Sequence, residues 1–183
     1  ARKMRAYVDH LMAFLPFEPD VHKRLGGPPC SYVGHPLIER VSWIKGLDAD
    51  ELALRLGLDR NKKVLLVLPG SRPSEVSRLM GPFGEALQRI TADGHELEVI
   101  IPVVNSVRSL VEAGLASWSI KPHLVEGEVD KFKAFRLAKA AMAASGTVTL
   151  ELALSGVPMV VAYKVDGLAR HLRFLVKVPS IVL

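Results

Sequence analysis

The sequence predicts an open, doubly wound α/β fold with a mostly parallel sheet. Short apolar runs rich in β-branched residues alternate with segments of helical period, which is the pattern of successive βαβ units. Hydrophobic residues make up 49% of the chain and charged residues 23%, so a chain of 183 residues can bury enough apolar surface to fold. The crossovers between its parallel strands are expected to be right-handed.

The apolar runs predict seven strands, and the helical segments predict seven helices. The strands are predicted at residues 10–15, 30–33, 64–68, 97–101, 123–125, 140–144 and 159–162. The helices are predicted at residues 19–25, 50–56, 74–91, 107–117, 130–138, 148–154 and 167–176. In the longest helix, apolar residues such as Val76, Leu79, Phe83 and Leu87 recur on one face, which is expected to lie on the sheet.

Residues 34–48 are interpreted as a connector between two domains. Gly34-His35-Pro36 breaks the preceding strand, and no long apolar period resumes until Leu52. His35 is assigned a structural or hinge role. The division adopted gives residues 1–38 to the end of one domain and its connector, and residues 39–183 to a second domain.

The net charge favours some classes of binding partner, and the cysteine and histidine content argues against a disulfide and a bound metal. The formal net charge of +5 favours an anionic partner, which a nucleotide, a phospholipid surface or a nucleic acid would each supply. No stretch approaches the roughly 20 apolar residues of a membrane-spanning helix and no signal-peptide pattern is present, so a cytosolic location is expected. Cys30 is the only cysteine and the six histidines form no H-x-x-x-H pair, so neither a disulfide nor a bound metal is expected.

The first candidate site is the turn that follows the strand at 64–68. Gly70 allows close backbone approach, Ser71 offers a hydroxyl, and Arg72 offers a planar fork that suits a diphosphate. Neither a G-x-x-x-x-G-K-[ST] loop nor a G-x-G-x-x-G fingerprint occurs in the chain. The alternative interpretation is an ordinary strand-to-helix turn with a surface arginine.

The second candidate site is the turn that follows the strand at 140–144. The backbone amides from Gly146 onward begin a helix and would face an anion, with hydroxyls from Ser145 and Thr147 beside them. Glu151 lies one turn into that helix and would reach a sugar or ribose hydroxyl. The alternative is a helix cap in which Thr147 and Glu151 satisfy backbone amides and a nearby cation. Because both turns leave strands of one sheet, together they predict a nucleotide-diphosphate site.

Three weaker candidates remain open. Asn105 follows another strand, where capping a helix is favoured over touching a ligand. The loop at 126–128 follows a further strand and would dock a base or ribose, or would simply be solvated. The segment at 167–176, with Arg170 and Arg173, is either a basic amphipathic surface for anionic lipid or a half-buried helix with a solvated basic face.

The order of several motifs resembles that of the lipid-A-disaccharide synthases. The motifs are Leu15-Pro16-Phe17-Glu18, Val33-Gly34-His35-Pro36-Leu37, Leu68-Pro69-Gly70-Ser71-Arg72 with Ser74-Glu75-Val76, Ala144-Ser145-Gly146-Thr147 with Thr149-Leu150-Glu151, and Pro158-Met159-Val160-Val161-Ala162-Tyr163. The resemblance spans essentially the whole chain. It implies the C-terminal, Rossmann-like half of a GT-B glycosyltransferase, incomplete at its C-terminus and preceded by the end of the N-terminal acceptor domain.

The resemblance also implies an activity and a location. The enzyme would be an inverting, metal-independent hexosyltransferase of lipid A biosynthesis, with no cofactor, peripheral on the cytoplasmic side of the inner membrane. It would transfer 2,3-diacylglucosamine from its UDP-linked form to 2,3-diacylglucosamine 1-phosphate (lipid X) and release UDP. By this resemblance Gly70, Ser71 and Arg72 contact the diphosphate region, Ser145, Gly146 and Thr147 contact the phosphates, and Glu151 contacts a donor hydroxyl.

One departure from the family limits what this chain is expected to do alone. The family's presumed general base, an aspartate, belongs to a part of the N-terminal domain that this sequence lacks, so no catalytic residue is assigned and the chain alone is expected to be inactive. The alternatives are another GT-B-like UDP-N-acetylglucosamine enzyme, either a 2-epimerase or a lipid II-type transferase, and a non-enzymatic basic module that binds nucleotide or nucleic acid. Nucleic acid is disfavoured because only 6% of residues are aromatic. Acyl-chain preference and oligomeric state stay open.

Overall fold

A computed structural model describes residues 1–164 of the chain, in two compact units. The first unit is Ala1–Gly46, and the second begins at Leu47. The assignment of residues 1–38 to an acceptor domain stays a prediction. The predicted helix at 167–176 lies outside the described residues.

The first unit is built around a short parallel pair of strands. Its elements are a 3₁₀ turn at Arg2–Ala6, β1 (Leu11–Ala13), α1 (Glu18–Arg24), β2 (Cys30–Tyr32), a 3₁₀ turn at Pro36–Arg40 and α2 (Val41–Gly46). β1 pairs with β2 with Leu11 opposite Cys30. The N-terminus of α1 is held by Glu18, whose carboxylate accepts a hydrogen bond of 2.8 Å from the amide of Leu15.

The segment at 34–48, interpreted as a connector, contains helical elements that the sequence did not predict. That segment contains a 3₁₀ turn followed directly by the six-residue helix α2. Pro36 occupies the first turn, and the Nδ1 atom of His35 accepts a hydrogen bond of 3.2 Å from the amide of Leu37. His35 therefore caps a local turn, while a helix of six residues is too short to show an apolar period.

The second unit contains, in its described part, a five-stranded parallel sheet in the order β5-β4-β3-β6-β7. Its strands are β3 (Lys63–Leu68), β4 (Leu97–Val103), β5 (His123–Glu126), β6 (Ala138–Ala144) and β7 (Met159–Ala162). Its helices are α3 (Ala49–Leu56), α4 (Pro73–Ala92), α5 (Arg108–Leu115), α6 (Glu128–Leu137) and α7 (Thr147–Leu154), with a 3₁₀ turn at Asn105–Val107. The chain runs from β3 to the β5 edge and then returns to place β6 beside β3. The prediction of an open, doubly wound parallel sheet is confirmed.

Helices cover both faces of this sheet because side chains alternate along each strand. Leu65 and Val67 of β3 pack in one cluster with residues of α4 and α5. Leu66 between them is fully buried on the opposite face, where α6 packs against β3 and β4 and α3 packs against α6. The apolar face of α4 lies on the sheet as predicted, and each fully buried aliphatic side chain contributes about 1.5–3 kcal/mol to folding.

A close contact joins α4 to the segment that follows α5. The indole Nε1 of Trp118 donates a hydrogen bond of 3.0 Å to the carbonyl oxygen of Met80. The same ring lies so close to Gly84 that a β-carbon there would be 2.6 Å from Trp118 atoms. Only glycine at position 84 lets the indole approach the helix backbone.

Within residues 1–164, no helix has both the length and the apolar character needed to cross a bilayer.

We predict that Gly84→Ala destabilises the second unit. The new methyl group collides with the indole of Trp118, so the free energy of unfolding should fall by about 1–3 kcal/mol, the range for overpacking. The control is Gly81→Ala in the same helix, where a β-carbon meets no atom within 4 Å. Pro82 comes directly after Gly81 and limits any gain in helix propensity. Gly81→Ala should therefore change the free energy of unfolding by less than about 1 kcal/mol. Urea unfolding measures both, and equal stability of the two variants would contradict the contact.

Candidate functional site

The two predicted turns lie side by side at the carboxyl end of the sheet. β3 and β6 are neighbours, with Leu68 opposite Ala143, and each turn begins within two residues of those strand ends. This is the point where the strand order reverses, and ligands of open parallel sheets bind at that point. A cleft of about 900 Å³ opens there.

All the predicted site residues line this cleft, together with several that the sequence did not single out. The predicted ones are Gly70, Ser71, Arg72, Ser145, Gly146, Thr147 and Glu151. Glu75 and Lys131 were not predicted, while Asn105 and the loop at 126–128 were named only as weak candidates. The structure therefore brings the predicted residues together, and their roles toward a ligand remain a prediction.

The turn after β3 is closed by the carboxylate of Glu75. One oxygen, Oε2, accepts hydrogen bonds from the amides of Ser71 at 3.1 Å and Arg72 at 3.3 Å. The other, Oε1, lies 2.7 Å from Nη1 of Arg72. Both amides are thus already paired, and this turn offers a ligand the hydroxyl of Ser71 and the remaining donors of the Arg72 guanidinium.

Several groups determine the charge of Glu75. Burial by itself raises the pKa of this carboxyl, but hydrogen bonds from the Arg72 side chain and from the amides of Ser71 and Arg72 outweigh it, so the net pKa is lowered. Glu75 is therefore negatively charged at neutral pH. Glu75 at N3 accepts the N-cap amide of Arg72, which is one half of a capping box. Arginine has no acceptor for the other half, so the sequence carries no complete capping-box signal.

Gly70 is required by this arrangement. Its φ angle is +120°, which L-residues with a side chain rarely adopt, and a β-carbon there would lie 2.5 Å from Oε2 of Glu75. From the sequence, we expected Gly70 to allow close approach of the backbone. In the structure, the group that lies close to its backbone is the carboxylate of Glu75.

The turn after β6 has a different character. The amide of Ser145 donates a hydrogen bond of 3.0 Å to the carbonyl oxygen of Ala162, which ties the turn to β7. Gly146 is the N-cap of α7 and is extended, and a β-carbon there would meet no atom within 4 Å. No side chain in the described part of the chain caps α7, so its first turn is open to the cleft. Thr149 instead donates its hydroxyl hydrogen to the carbonyl oxygen of Gly146 at 2.7 Å.

Glu151 is paired with a cation that the sequence analysis missed. The Nζ atom of Lys131 in α6 lies 3.0 Å from Oε1 and 2.8 Å from Oε2 of Glu151. The alternative interpretation of this turn included a cation partner for Glu151, but the carboxylate does not cap α7. Lys131 and Glu151 are 20 residues apart, so no local spacing indicates the pair.

The wall formed by β4 and β5 holds a second polar cluster. Arg108 donates hydrogen bonds to Glu126 and, at 2.9 Å, to Glu112. Glu126 raises the pKa of the Arg108 guanidinium above its usual range. The side-chain amide of Asn105, oriented to donate, lies 3.1 Å from an oxygen of Glu126. The prediction that Asn105 caps a helix was wrong, because its amide reaches across to the end of the neighbouring strand.

Among the residues that the structure describes, no group of three or more His, Cys, Asp or Glu side chains is arranged to hold a metal ion.

The fold belongs to the doubly wound parallel α/β class, and its cleft lies where the strand order reverses. The chain belongs to the lipid-A-disaccharide synthetase family, whose model matches residues 1–183. The resemblance drawn from the sequence motifs is thereby confirmed.

Individual relatives agree with this assignment. The chain is 50% identical to the lipid-A-disaccharide synthase of Bradyrhizobium diazoefficiens over 184 aligned positions, which cover 100% of this chain and 46% of that protein. It is 52% identical to the lipid-A-disaccharide synthase of Rhodopseudomonas palustris strain HaA2, over 92% of this chain and 42% of that protein. The chain thus spans less than half the length of these curated relatives.

A solved structure supports the fold. A putative UDP-N-acetylglucosamine 2-epimerase from Listeria monocytogenes superposes with a TM-score of 0.62, over 91% of this chain and 45% of that one. The two sequences are 19% identical, so the likeness concerns the fold alone.

We predict that Gly70→Ala is more damaging than an alanine at another left-handed glycine. Gly94, with φ +85°, has no atom within 4 Å of its β-carbon position, so Gly94→Ala should cost only the backbone strain, about 1–2 kcal/mol. Gly70→Ala adds a collision with Glu75 and should cost about 2–4 kcal/mol in total. Urea unfolding of the two variants decides this, and equal losses would show that Glu75 does not occupy the turn.

Proposed function

We propose that this chain forms the sugar-nucleotide-binding half of a lipid-A-disaccharide synthase. The observation that carries the proposal is the cleft at the β3–β6 reversal, lined by both predicted turns. Its volume of about 900 Å³ lies in the range of small-molecule sites, which is about 300–1,000 Å³. Family membership supports the same assignment.

The diphosphate of a UDP-linked donor would lie between the two turns. Arg72 presents an exposed guanidinium from the β3 side, and a planar fork of donors suits phosphate oxygens. The uncapped first turn of α7 presents backbone amides from the β6 side, where the helix dipole favours negative charge. Glu151 would accept a hydrogen bond from a hydroxyl of the donor. The rest of the phosphate-binding surface would be formed by the remaining residues of the two turns, Gly70, Ser71, Ser145, Gly146 and Thr147.

The reaction we propose for the whole enzyme is the one implied by the family. It transfers 2,3-diacylglucosamine from its UDP-linked form to 2,3-diacylglucosamine 1-phosphate, and UDP departs. An inverting transfer needs a base for the acceptor hydroxyl and positive groups for the departing diphosphate. Arg72 and the α7 amides suit the second task, and the base is expected in a part of the enzyme that this sequence does not include.

We further propose that the enzyme works at the cytoplasmic face of the inner membrane. Both proposed substrates carry acyl chains, so the enzyme must reach molecules that reside in a bilayer. The formal net charge of +5 favours an anionic surface.

A nucleic-acid-binding function receives little support from the cleft. None of the described residues that line it is aromatic, so it offers no platform for base stacking.

We predict that Arg72→Ala weakens UDP binding by about 1.5–3 kcal/mol, the range for hydrogen bonds to a charged group. The matched control is Arg60→Ala, which removes an exposed arginine that pairs with Asp50 and does not line the cleft. Calorimetric titration of both variants and the parent with UDP measures the effect. Unchanged affinity of Arg72→Ala would remove Arg72 from the site. Single-stranded DNA is the comparison ligand, and salt-sensitive DNA binding without UDP binding would favour the nucleic-acid alternative.

We also predict that the 183-residue chain alone forms no disaccharide, because the general base for the acceptor hydroxyl is expected in a part of the enzyme outside these residues. Mass spectrometry of a reaction with both lipid substrates tests this, with the full-length synthase of Bradyrhizobium diazoefficiens as the positive control. Product formed by the chain alone would place a base within these residues.

A further inference from the structure

The ion pair between Lys131 and Glu151 links two helices across the floor of the cleft. Lys131 belongs to α6, which follows β5, and Glu151 belongs to α7, which follows β6. Both carboxylate oxygens lie within 3.0 Å of the same Nζ atom. The side chains are only 24% and 17% exposed, so solvent screens their attraction less than at an open surface.

Lys131 itself stands on a fixed support. Its Nζ atom lies 4.5 Å from the ring centroid of Phe132, which is fully buried. Next to it in α6, Asp130 lies 2.7 Å from Arg55 of α3, and this ion pair ties the two helices together. The helix turn that carries Lys131 is therefore anchored to α3, and its ammonium group lies against the Phe132 ring.

The ion pair fixes the orientation of the Glu151 carboxylate but uses only part of its capacity to accept hydrogen bonds. An ionised carboxylate has about four lone-pair sites, and a single ammonium group uses two of them here. Glu151 lines the cleft, and among residues 1–164 no other side chain donates a hydrogen bond to its carboxylate, so the remaining sites can accept one from a ligand hydroxyl. Without Lys131, a carboxylate that is 17% exposed would lose the one charge partner it has among residues 1–164 and would turn toward water.

We infer that Lys131 is a positioning residue for donor binding, which holds the Glu151 carboxylate in the orientation that accepts a donor hydroxyl. The inference rests on the proposed function. It differs from a role for Lys131 as a direct phosphate ligand, because Nζ already contacts both carboxylate oxygens of Glu151.

The test compares a hydroxyl-bearing ligand with a bare diphosphate. Calorimetry with UDP-N-acetylglucosamine, and displacement of it by inorganic pyrophosphate, are measured for Lys131→Met, Lys131→Arg, Glu151→Gln and the Lys131→Met/Glu151→Gln double variant. Lys131→Met should weaken UDP-N-acetylglucosamine binding about tenfold, which corresponds to about 1.4 kcal/mol. Pyrophosphate affinity should change less than about threefold, and Lys131→Arg should recover most of the loss. The double variant should bind no more weakly than Glu151→Gln, because contacting residues of one pair are not additive.

The control for charge is Lys133→Met. It removes one positive charge from the same helix, from a residue that pairs with Glu51 and does not line the cleft. Its affinity for both ligands should match the parent, and circular dichroism of every variant verifies the fold.

Each other result overturns the inference in a recognisable way. Equal loss of both ligands in Lys131→Met would make Lys131 a phosphate ligand, and additive losses in the double variant would separate it from Glu151. Normal binding by Lys131→Met, with binding by the parent intact, contradicts this inference alone. Failure of the parent to bind UDP-N-acetylglucosamine contradicts the proposed function, and this inference with it.

Discussion

The reversal of strand order between β3 and β6 is the constraint on which the site depends. Because β6 returns to the side of β3, the turns that end these two strands are adjacent although they are more than seventy positions apart in sequence. Their following helices begin at the same edge of the sheet. A guanidinium and an uncapped helix terminus are thereby brought to one cleft by topology alone.

Within that cleft, cations and carboxylates come in pairs. Arg72 faces Glu75, and Lys131 faces Glu151. A partly buried ion pair is costly to break from one side, since the remaining charge loses its partner. We therefore expect a ligand to bind well only where it supplies both a negative charge for the cation and a hydroxyl for the carboxylate. A diphosphate joined to a sugar or nucleoside meets both conditions.

The sequence allowed much of this fold to be predicted, for identifiable reasons. The parallel strands are continuous apolar runs, and the β3 and β6 turns carry distinctive residues such as Arg72 and Gly146, so both were located before the structure. Helix α2 was missed because six residues show no period. The partner of Asn105 was missed because it lies on a neighbouring strand, and sequence spacing does not report on register across a sheet.

The carboxylate of Glu75 affects the entropy cost of binding an anion at the turn after β3. In many anion sites the loop becomes ordered only when the ligand binds, and the entropy cost of that ordering weakens the affinity. Here the side chain of α4 completes the loop in advance, since it satisfies the amides of Ser71 and Arg72 and stands against Gly70. We therefore expect the proposed diphosphate to bind a turn whose shape the protein's own hydrogen bonds already set, with no loop-ordering step at this edge of the sheet.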